Sequence, residues 1–286
     1  MNILVTGSNG QLGSEIKLLS HAFPQYNFIF TDIAELDITS KEKVSVFFEE
    51  NKIDLIINAA AYTAVDKAES DKENAILVNS TAVKILSEAS ERYNAFFIHT
   101  STDYVFDGNG KKPYTENDNV SPQSIYGSSK LSGEIEMQKI CRKGIIVRTA
   151  WLYSFFGNNF VKTILRVGKE RGELKVVNDQ IGSPTYAADL AKAILDIIPQ
   201  IDKIDKVELF HYSNEGNITW FDFAKAIIEI SGIKCIVNPV SSSEFPTPVT
   251  RPAYSVLDKS KIKSIFGIEV PFWKESLEIC LAKLLA

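Results

Sequence analysis

The stretch that decides the fold is Ile3-Leu4-Val5-Thr6-Gly7-Ser8-Asn9-Gly10-Gln11-Leu12-Gly13, continued at helical spacing by Ile16 and Leu19. A short apolar and β-branched run ends in a glycine-punctuated turn, and the turn opens a helix that Pro24 stops. Glycines at 7, 10 and 13 permit a tight turn and a close backbone approach to a phosphate, while the helix N-terminus directs free N–H groups at the anion. A second apolar run, Phe28-Ile29-Phe30, leads to Asp32, about 20 residues beyond the turn, where a carboxylate can hold ribose hydroxyls. Strand, turn, helix, strand and acid in this order are the parts of a dinucleotide cradle, with Gly7, Asn9, Gly10, Gln11, Leu12, Gly13 and Asp32 as its candidate residues.

The same rhythm continues outward. Thr39 or Ser40 can cap a helix through Phe48, and Asp54-Leu55-Ile56-Ile57-Asn58 reads as the third strand. A long helix over 74–93, a strand over 95–99, a helix over 125–140 and a strand at Ile145-Ile146-Val147 follow. Continuous apolar strands separated by helices predict a parallel sheet covered on both faces, a doubly wound, Rossmann-like α/β domain. After residue 150 the pattern loosens: helices over 160–171 and 187–198, a strand over 174–177, an irregular segment over 239–252 and a final helix carrying Leu277, Leu281 and Leu284. The expected division is a cofactor-binding part over 1–150 and a smaller substrate-binding lobe over 151–286, with segments free to cross between them.

Composition narrows the function. With 286 residues, 45% hydrophobic and 23% charged, the chain is long enough for a large core without staples. A net charge of −5 argues against a nucleic-acid or anionic-membrane surface. Cys141, Cys235 and Cys280 are widely spaced and odd in number, which predicts structural thiols in a reducing compartment. No segment reaches the roughly 18–20 apolar residues of a membrane span, and the N-terminus lacks a signal-peptide pattern, so a cytoplasmic location is expected. His21, His99 and His211 match no metal spacing and read as structural.

Tyr126 and Lys130 lie one turn apart on a predicted helix and so share a face. A neighbouring ammonium favours phenolate and lowers a tyrosine pKa from its ordinary value near ~10, which suits acid–base work at neutral pH. Thr102, in Thr100-Ser101-Thr102-Asp103-Tyr104-Val105-Phe106 at the end of the fourth strand, can hydrogen-bond a substrate carbonyl and share its developing charge.

With these residues the chain resembles the extended branch of the short-chain dehydrogenase/reductase superfamily. Within it, the chain is similar to the dTDP-4-dehydrorhamnose reductase family. The similarity rests on the glycine turn, Leu36-Asp37-Ile38-Thr39, Asn58-Ala59-Ala60-Ala61-Tyr62-Thr63-Ala64-Val65-Asp66-Lys67-Ala68-Glu69 and Ser101-Thr102-Asp103-Tyr104-Val105-Phe106-Asp107-Gly108. It extends to Arg148-Thr149-Ala150-Trp151-Leu152-Tyr153 and Asn178-Asp179-Gln180-Ile181-Gly182-Ser183-Pro184-Thr185.

The resemblance implies Thr102, Tyr126 and Lys130 as the catalytic triad of a reduction by NADH or NADPH of the C4 carbonyl of dTDP-4-dehydro-L-rhamnose, a dTDP-sugar. It further implies that Gly10, Gln11 and Leu12 touch the cofactor phosphates and nicotinamide side, and that Asp32, Asp37 and Ile38 frame the adenosine. Ala59, Ala60 and Ala61 would leave room for the cofactor, and Thr100, Tyr126 and Lys130 would complete its contacts. Thr102, Asp103, Tyr126 and Trp151 would face the sugar nucleotide, with Arg251 a candidate for its pyrophosphate. The resemblance also raises a homodimer, with Mg²⁺ at paired acids; Ala188-Asp189 offers one acid, so no metal is expected. Asp66, Lys67 and Glu69 read as the start of a solvated helix.

Two alternatives stay open: a reductase of another nucleotide-activated 4-keto sugar, and a non-catalytic regulatory subunit of the same fold. A dehydratase is disfavoured because Tyr104, not a second carboxylate, follows Asp103. Asp32 would repel a 2′-phosphate, and residues 33–40 hold no Lys or Arg to neutralise one. NADH is therefore expected to serve at least as well as NADPH; steady-state kinetics with each cofactor check this, and a strong preference for NADPH overturns it.

Overall fold

The computed structural model describes residues 1–286. Five short runs form strands at Asn2–Thr6 (β1), Asn27–Thr31 (β2), Leu55–Asn58 (β3), Phe96–Thr102 (β4) and Gly144–Thr149 (β5). A sixth strand, Val207–His211, lies beside β5, and the order across the sheet is Val207–His211, β5, β4, β3, β1, β2. Every pairing is parallel, with Ile3 opposite both Phe28 and Leu55, and Thr102 opposite Thr149. This is the doubly wound sheet that the strand–helix rhythm predicts.

Alternation along the strands explains why these runs have no polar face. Ile3, Val5, Leu55, Ile57, Phe96, Ile98, Ile145 and Val147 all point into one core. Leu4, Ile56, Phe97 and Ile146, the residues between them, point into the other. Successive side chains leave a strand on opposite sides, so a sheet buried on both faces needs uninterrupted apolar strands. One face is covered by the helix Gln11–Leu19 (α1) together with Ala187–Ile197; the other by Lys41–Asn51 (α2), Ala82–Tyr93 and Ile125–Ile140.

Three regions differ from the sequence reading. The strand Val207–His211 and the helix Ala187–Ile197 come from the second half of the chain yet complete the first sheet and its core. The long helix expected over 74–93 is divided: Lys72–Ile76 and Ala82–Tyr93 are α-helical, and Leu77–Thr81 between them is a π turn. That turn carries Asn79, whose amide bonds the backbone of Tyr62 in both directions and donates to Ser129 on the neighbouring helix. Such bulges recur at functional sites. Residues 239–252, expected as irregular, begin in the strand Ile236–Val240 and make one 3₁₀ turn at Ser242–Glu244.

The remaining elements pack around a third core built from Tyr153, Ile164, Phe223, Ile227, Trp273 and Leu277. Phe160–Arg171, Trp220–Ser231 and Trp273–Leu285 are its helices, and Glu173–Val177 pairs with Ile236–Val240 in parallel. Thr219 and Asp222 form a capping box that starts Trp220–Ser231. No helix is long and apolar enough to cross a membrane.

The helix Ile125–Ile140 is tied to the sheet by a buried ion pair. Arg148 on β5 donates two hydrogen bonds to Glu134, at 2.9 and 2.6 Å, and Ser101 on β4 donates to the same carboxylate. The two charged side chains are 3% and 1% exposed. Removing one member strands the other charge in the interior, which costs about 3–5 kcal/mol. Glu134→Ala is therefore expected to lower unfolding stability by about that amount. Urea denaturation measures it, and an unchanged midpoint and slope would contradict the bracing role.

Candidate active site

The glycine turn closes against the carboxyl end of β3. Gly7 has φ +66°, and a Cβ there would stand 2.6 Å from the Ala60 backbone. A Cβ on Gly13 would stand 2.3 Å from the Gly7 carbonyl oxygen. Neither position tolerates a side chain, so the turn and β3 meet backbone to backbone. Gly10 is the N-cap of α1 without any side-chain cap, and the N–H groups of Gln11, Leu12 and Gly13 donate to nothing within the chain. Unpaired donors at a helix N-terminus fit an anionic group. Ala59, Ala60 and Ala61 continue from β3 half-buried.

Asp32 reaches the same turn from the end of β2. Its carboxylate accepts from the Asn9 N–H at 3.0 Å and from the Ile33 N–H at 2.8 Å. The Ile33 side chain beside it is 78% exposed. Asp37 instead holds Thr39, accepting from its N–H and its hydroxyl, and those bonds hold the Asp37 carboxyl below its ordinary range. The Ile38 side chain is buried in the core next to Leu36 and Val44. Lys41, the first cation after Asp32, is paired with Glu88 at 2.6 Å.

A polar rung crosses the strand ends behind the turn. Asn58 accepts from the Thr6 hydroxyl and the Ala60 N–H through its side chain, and from the Thr100 hydroxyl through its backbone carbonyl. Its amide donates to His99 Nδ1 at 3.1 Å. Burial pushes the His99 pKa far down, so this imidazole is neutral and accepts.

Thr102, Tyr126 and Lys130 converge at the ends of β4 and the helix Ile125–Ile140. Lys130 is 2% exposed and donates from Nζ to the Thr100 carbonyl at 2.6 Å. Burial pulls its pKa down to about 8, with the Glu134 carboxylate one turn along opposing the shift. The Tyr126 phenol moves the other way: desolvation raises its pKa, the Thr102 hydroxyl opposes the rise, and the Asp103 and Tyr104 charges add to it. The expectation that Lys130 lowers Tyr126 is thus not met in this arrangement: burial of the phenol dominates, and the Lys130 ammonium is aimed at the Thr100 carbonyl. Gly127 permits the close packing, since a Cβ there would stand 2.3 Å from the Tyr104 carbonyl oxygen.

Asp103 is 4% exposed. One carboxylate oxygen accepts from the Thr102 hydroxyl at 3.1 Å, and the other is buried without a partner. Desolvation raises its pKa to about 7 against the smaller lowering effects of Thr102 and Ser255.

Across from these residues lies a cleft of about 960 Å³ whose walls include Tyr104, Phe160, Val176, Gln180, Trp220 and Arg251. Trp151 stacks on Trp220 with ring centroids 3.5 Å apart and planes at 10°, and it does so with φ +48°. A bulky residue in the left-handed region is held there by its surroundings. Gly182 belongs to them, as its Cβ would stand 2.5 Å from the indole.

Arg251 lines the cleft but is already engaged. Its guanidinium donates to Asp66 at 2.5 Å and to the Tyr104 hydroxyl at 3.2 Å. Asp66 is therefore not part of a freely solvated helix start, as its sequence context suggests: the residue pairs across 185 positions, and its second carboxylate oxygen is buried. Glu69 likewise accepts from the Ile125 N–H, at the start of the Tyr126 helix.

The structure thus brings Thr102, Tyr126, Lys130, Thr100 and Asp103 together beside Ala59, Ala60 and the glycine turn. It engages the Asp37 carboxylate with Thr39 and turns the Ile38 side chain into the core. Tyr104, Trp220, Asn58 and Asn79 are the site residues that sequence reasoning passes over. Tyr104 and Asn58 stand inside the quoted motifs and were legible by position, whereas nothing local marks Trp220 or Asn79. Cys141 and Cys280 are buried, and Cys235 is partly so.

Known proteins match this chain along its whole length. The RmlD substrate binding domain family matches residues 1–286. The crystal structure of a dTDP-4-dehydrorhamnose reductase from Clostridium acetobutylicum superposes with a TM-score of 0.95 at 44% identity, covering 100% of both chains. The reductase of that name from Bacillus anthracis, solved in complex with NADP, gives a TM-score of 0.93 at 39% identity over 99% of each chain. A dTDP-4-dehydrorhamnose reductase of Escherichia coli is 40% identical, over 99% of this chain and 98% of its own. With agreement in sequence and fold along its whole length, the chain belongs to the RmlD substrate binding domain family, that of the dTDP-4-dehydrorhamnose reductases.

Proposed function

We propose that this chain reduces the C4 carbonyl of dTDP-4-dehydro-L-rhamnose to the alcohol of dTDP-L-rhamnose with a nicotinamide dinucleotide, NADH or NADPH. The observation that carries the proposal is the convergence of Thr102, Tyr126 and Lys130 at the carboxyl ends of the parallel strands, beside a glycine turn too tight for any Cβ.

The residues present fit the dinucleotide. The free N–H groups at the start of α1 would take its pyrophosphate, Asp32 the adenosine ribose, and exposed Ile33 would give the base an apolar face. Lys130, with its carbonyl partner, would bond the second ribose. When bound in reduced form, the nicotinamide supplies a hydride.

The chain's own groups supply the rest. A phenol lifted above its ordinary pKa stays protonated at neutral pH, which is the form needed to donate to the alkoxide that forms at the carbonyl. Thr102 positions the carbonyl oxygen. The cleft across from them would receive the nucleotide, where Trp220, stacked on Trp151, offers an aromatic wall and Arg251 a guanidinium for phosphate oxygens once Asp66 releases it. The proposed division of labour is a cofactor part within 1–150 and a substrate lobe within 151–286, with 187–211 serving the first sheet.

Tyr126→Phe removes the proton donor and leaves the ring in place. Turnover is expected to fall by about 10²–10⁴-fold, while cofactor affinity, measured by fluorescence titration, stays as in the wild type. Near-full activity of this variant would refute the assigned acid. NADH and NADPH oxidation across several dTDP-4-keto sugars separates the substrate readings, and oxidation with none of them favours a regulatory subunit.

A further inference from the structure

A hydroxyl has one hydrogen to give, and in this site that hydrogen has two claimants. Thr102 Oγ1 donates to Asp103 at 3.1 Å and accepts from the Tyr104 N–H at 3.3 Å. With Asp103 ionised, the Thr102 hydrogen is held by the carboxylate and is withheld from a substrate carbonyl. With Asp103 neutral, the carboxyl can donate to Thr102, and the Thr102 hydrogen is free to turn to the substrate. The direction of this hydroxyl is set by one proton on one carboxyl.

The groups around Asp103 favour the neutral form. Thr102 and Tyr104 of its own turn, Tyr126 on the helix Ile125–Ile140 and Ser255 on the segment after Arg251 face it, and no ammonium or guanidinium pairs with it. Arg251, the guanidinium of the cleft, is held by Asp66 and the Tyr104 hydroxyl. One carboxylate oxygen of Asp103 lies buried with no donor at all, a poor place for a full negative charge.

We propose that Asp103 is a positioning residue that works in its neutral form, turning the Thr102 hydroxyl toward the substrate carbonyl. The proposal rests on the carbonyl reduction described above. The carbonyl carbon gains the hydride and the C=O π bond breaks onto oxygen. Oxygen takes the Tyr126 proton while Thr102 hydrogen-bonds it. The net result is an alcohol and a Tyr126 phenolate, which is reprotonated from solvent when product leaves.

Two measurements on the whole enzyme test this. In infrared difference spectra across the titration, the wild type should show a protonated-carboxyl stretch that Asp103→Asn abolishes. The pH profile of kcat should fall as Asp103 ionises. In Asp103→Asn that fall should vanish, leaving only the later one set by Lys130 near pH 8, with kcat lower by on the order of 10–100-fold.

Cofactor titration confirms that the variant is folded. An Asp103→Asn enzyme with a wild-type pH profile, or one changed in KM alone, overturns the proposal and leaves Asp103 as a substrate contact. If the wild type itself oxidises neither NADH nor NADPH with any dTDP-4-keto sugar while the carboxyl stretch is present, the reductase reading fails and the protonated Asp103 stands.

Discussion

A charge pair shut out of water holds the catalytic helix to the sheet. Arg148 forks onto Glu134 from the end of β5, Ser101 joins from β4, and the guanidinium lies 5.1 Å over the Phe106 ring. Burying two ions is costly, and the attraction between them offsets that cost only when the geometry is good and the remaining valences are met. Bidentate contact and a third donor meet both conditions for the carboxylate. Tyr126 and Lys130 sit two turns and one turn before Glu134 on the same helix, so their placement against the strand ends follows from this pair. Gly133 lets that helix approach the π turn, where a Cβ would stand 2.2 Å from the Asn79 carbonyl oxygen.

Burial then tunes the site in one direction. Desolvation raises the Tyr126 and Asp103 pKa values and lowers that of Lys130, in each case favouring the uncharged form. A proton moving among such groups separates little charge. The cofactor side of the cleft is governed by the opposite means, the omission of atoms. Glycines and three alanines keep the backbone bare where an anion must come close, and the helix N–H groups are left free to meet it. The net charge of −5 describes the outer surface and carries no information about this pocket.

The parallel sheet was legible because its strands are uninterrupted apolar runs, and the helix Ile125–Ile140 because Ser124 caps it and its two functional residues lie one turn apart. The strand Val207–His211 escaped notice because its partner, β5, stands some sixty residues earlier and its own five residues include an acid and a histidine. The π turn at Leu77–Thr81 was hidden for a similar reason: the helical pattern runs through it, and only the Asn79 contacts with Tyr62 and Ser129 show why the turn widens.

The amino-acid sequence determined by itself the alternation of strands and helices, the glycine turn and the identity of the Thr-Tyr-Lys cluster. Those features are written in spacings of a few residues, over which backbone geometry alone decides what faces what. Tertiary structure decided the rest. It set the Asp66–Arg251 pairing across the cleft mouth, the left-handed Trp151 held on Trp220, the commitment of Lys130 to a carbonyl and the isolation of Asp103 from any cation. Each of these depends on which distant groups exclude water from a side chain. That exclusion, which sets both charge state and hydrogen-bond direction, exists only once the two halves of the chain are packed together.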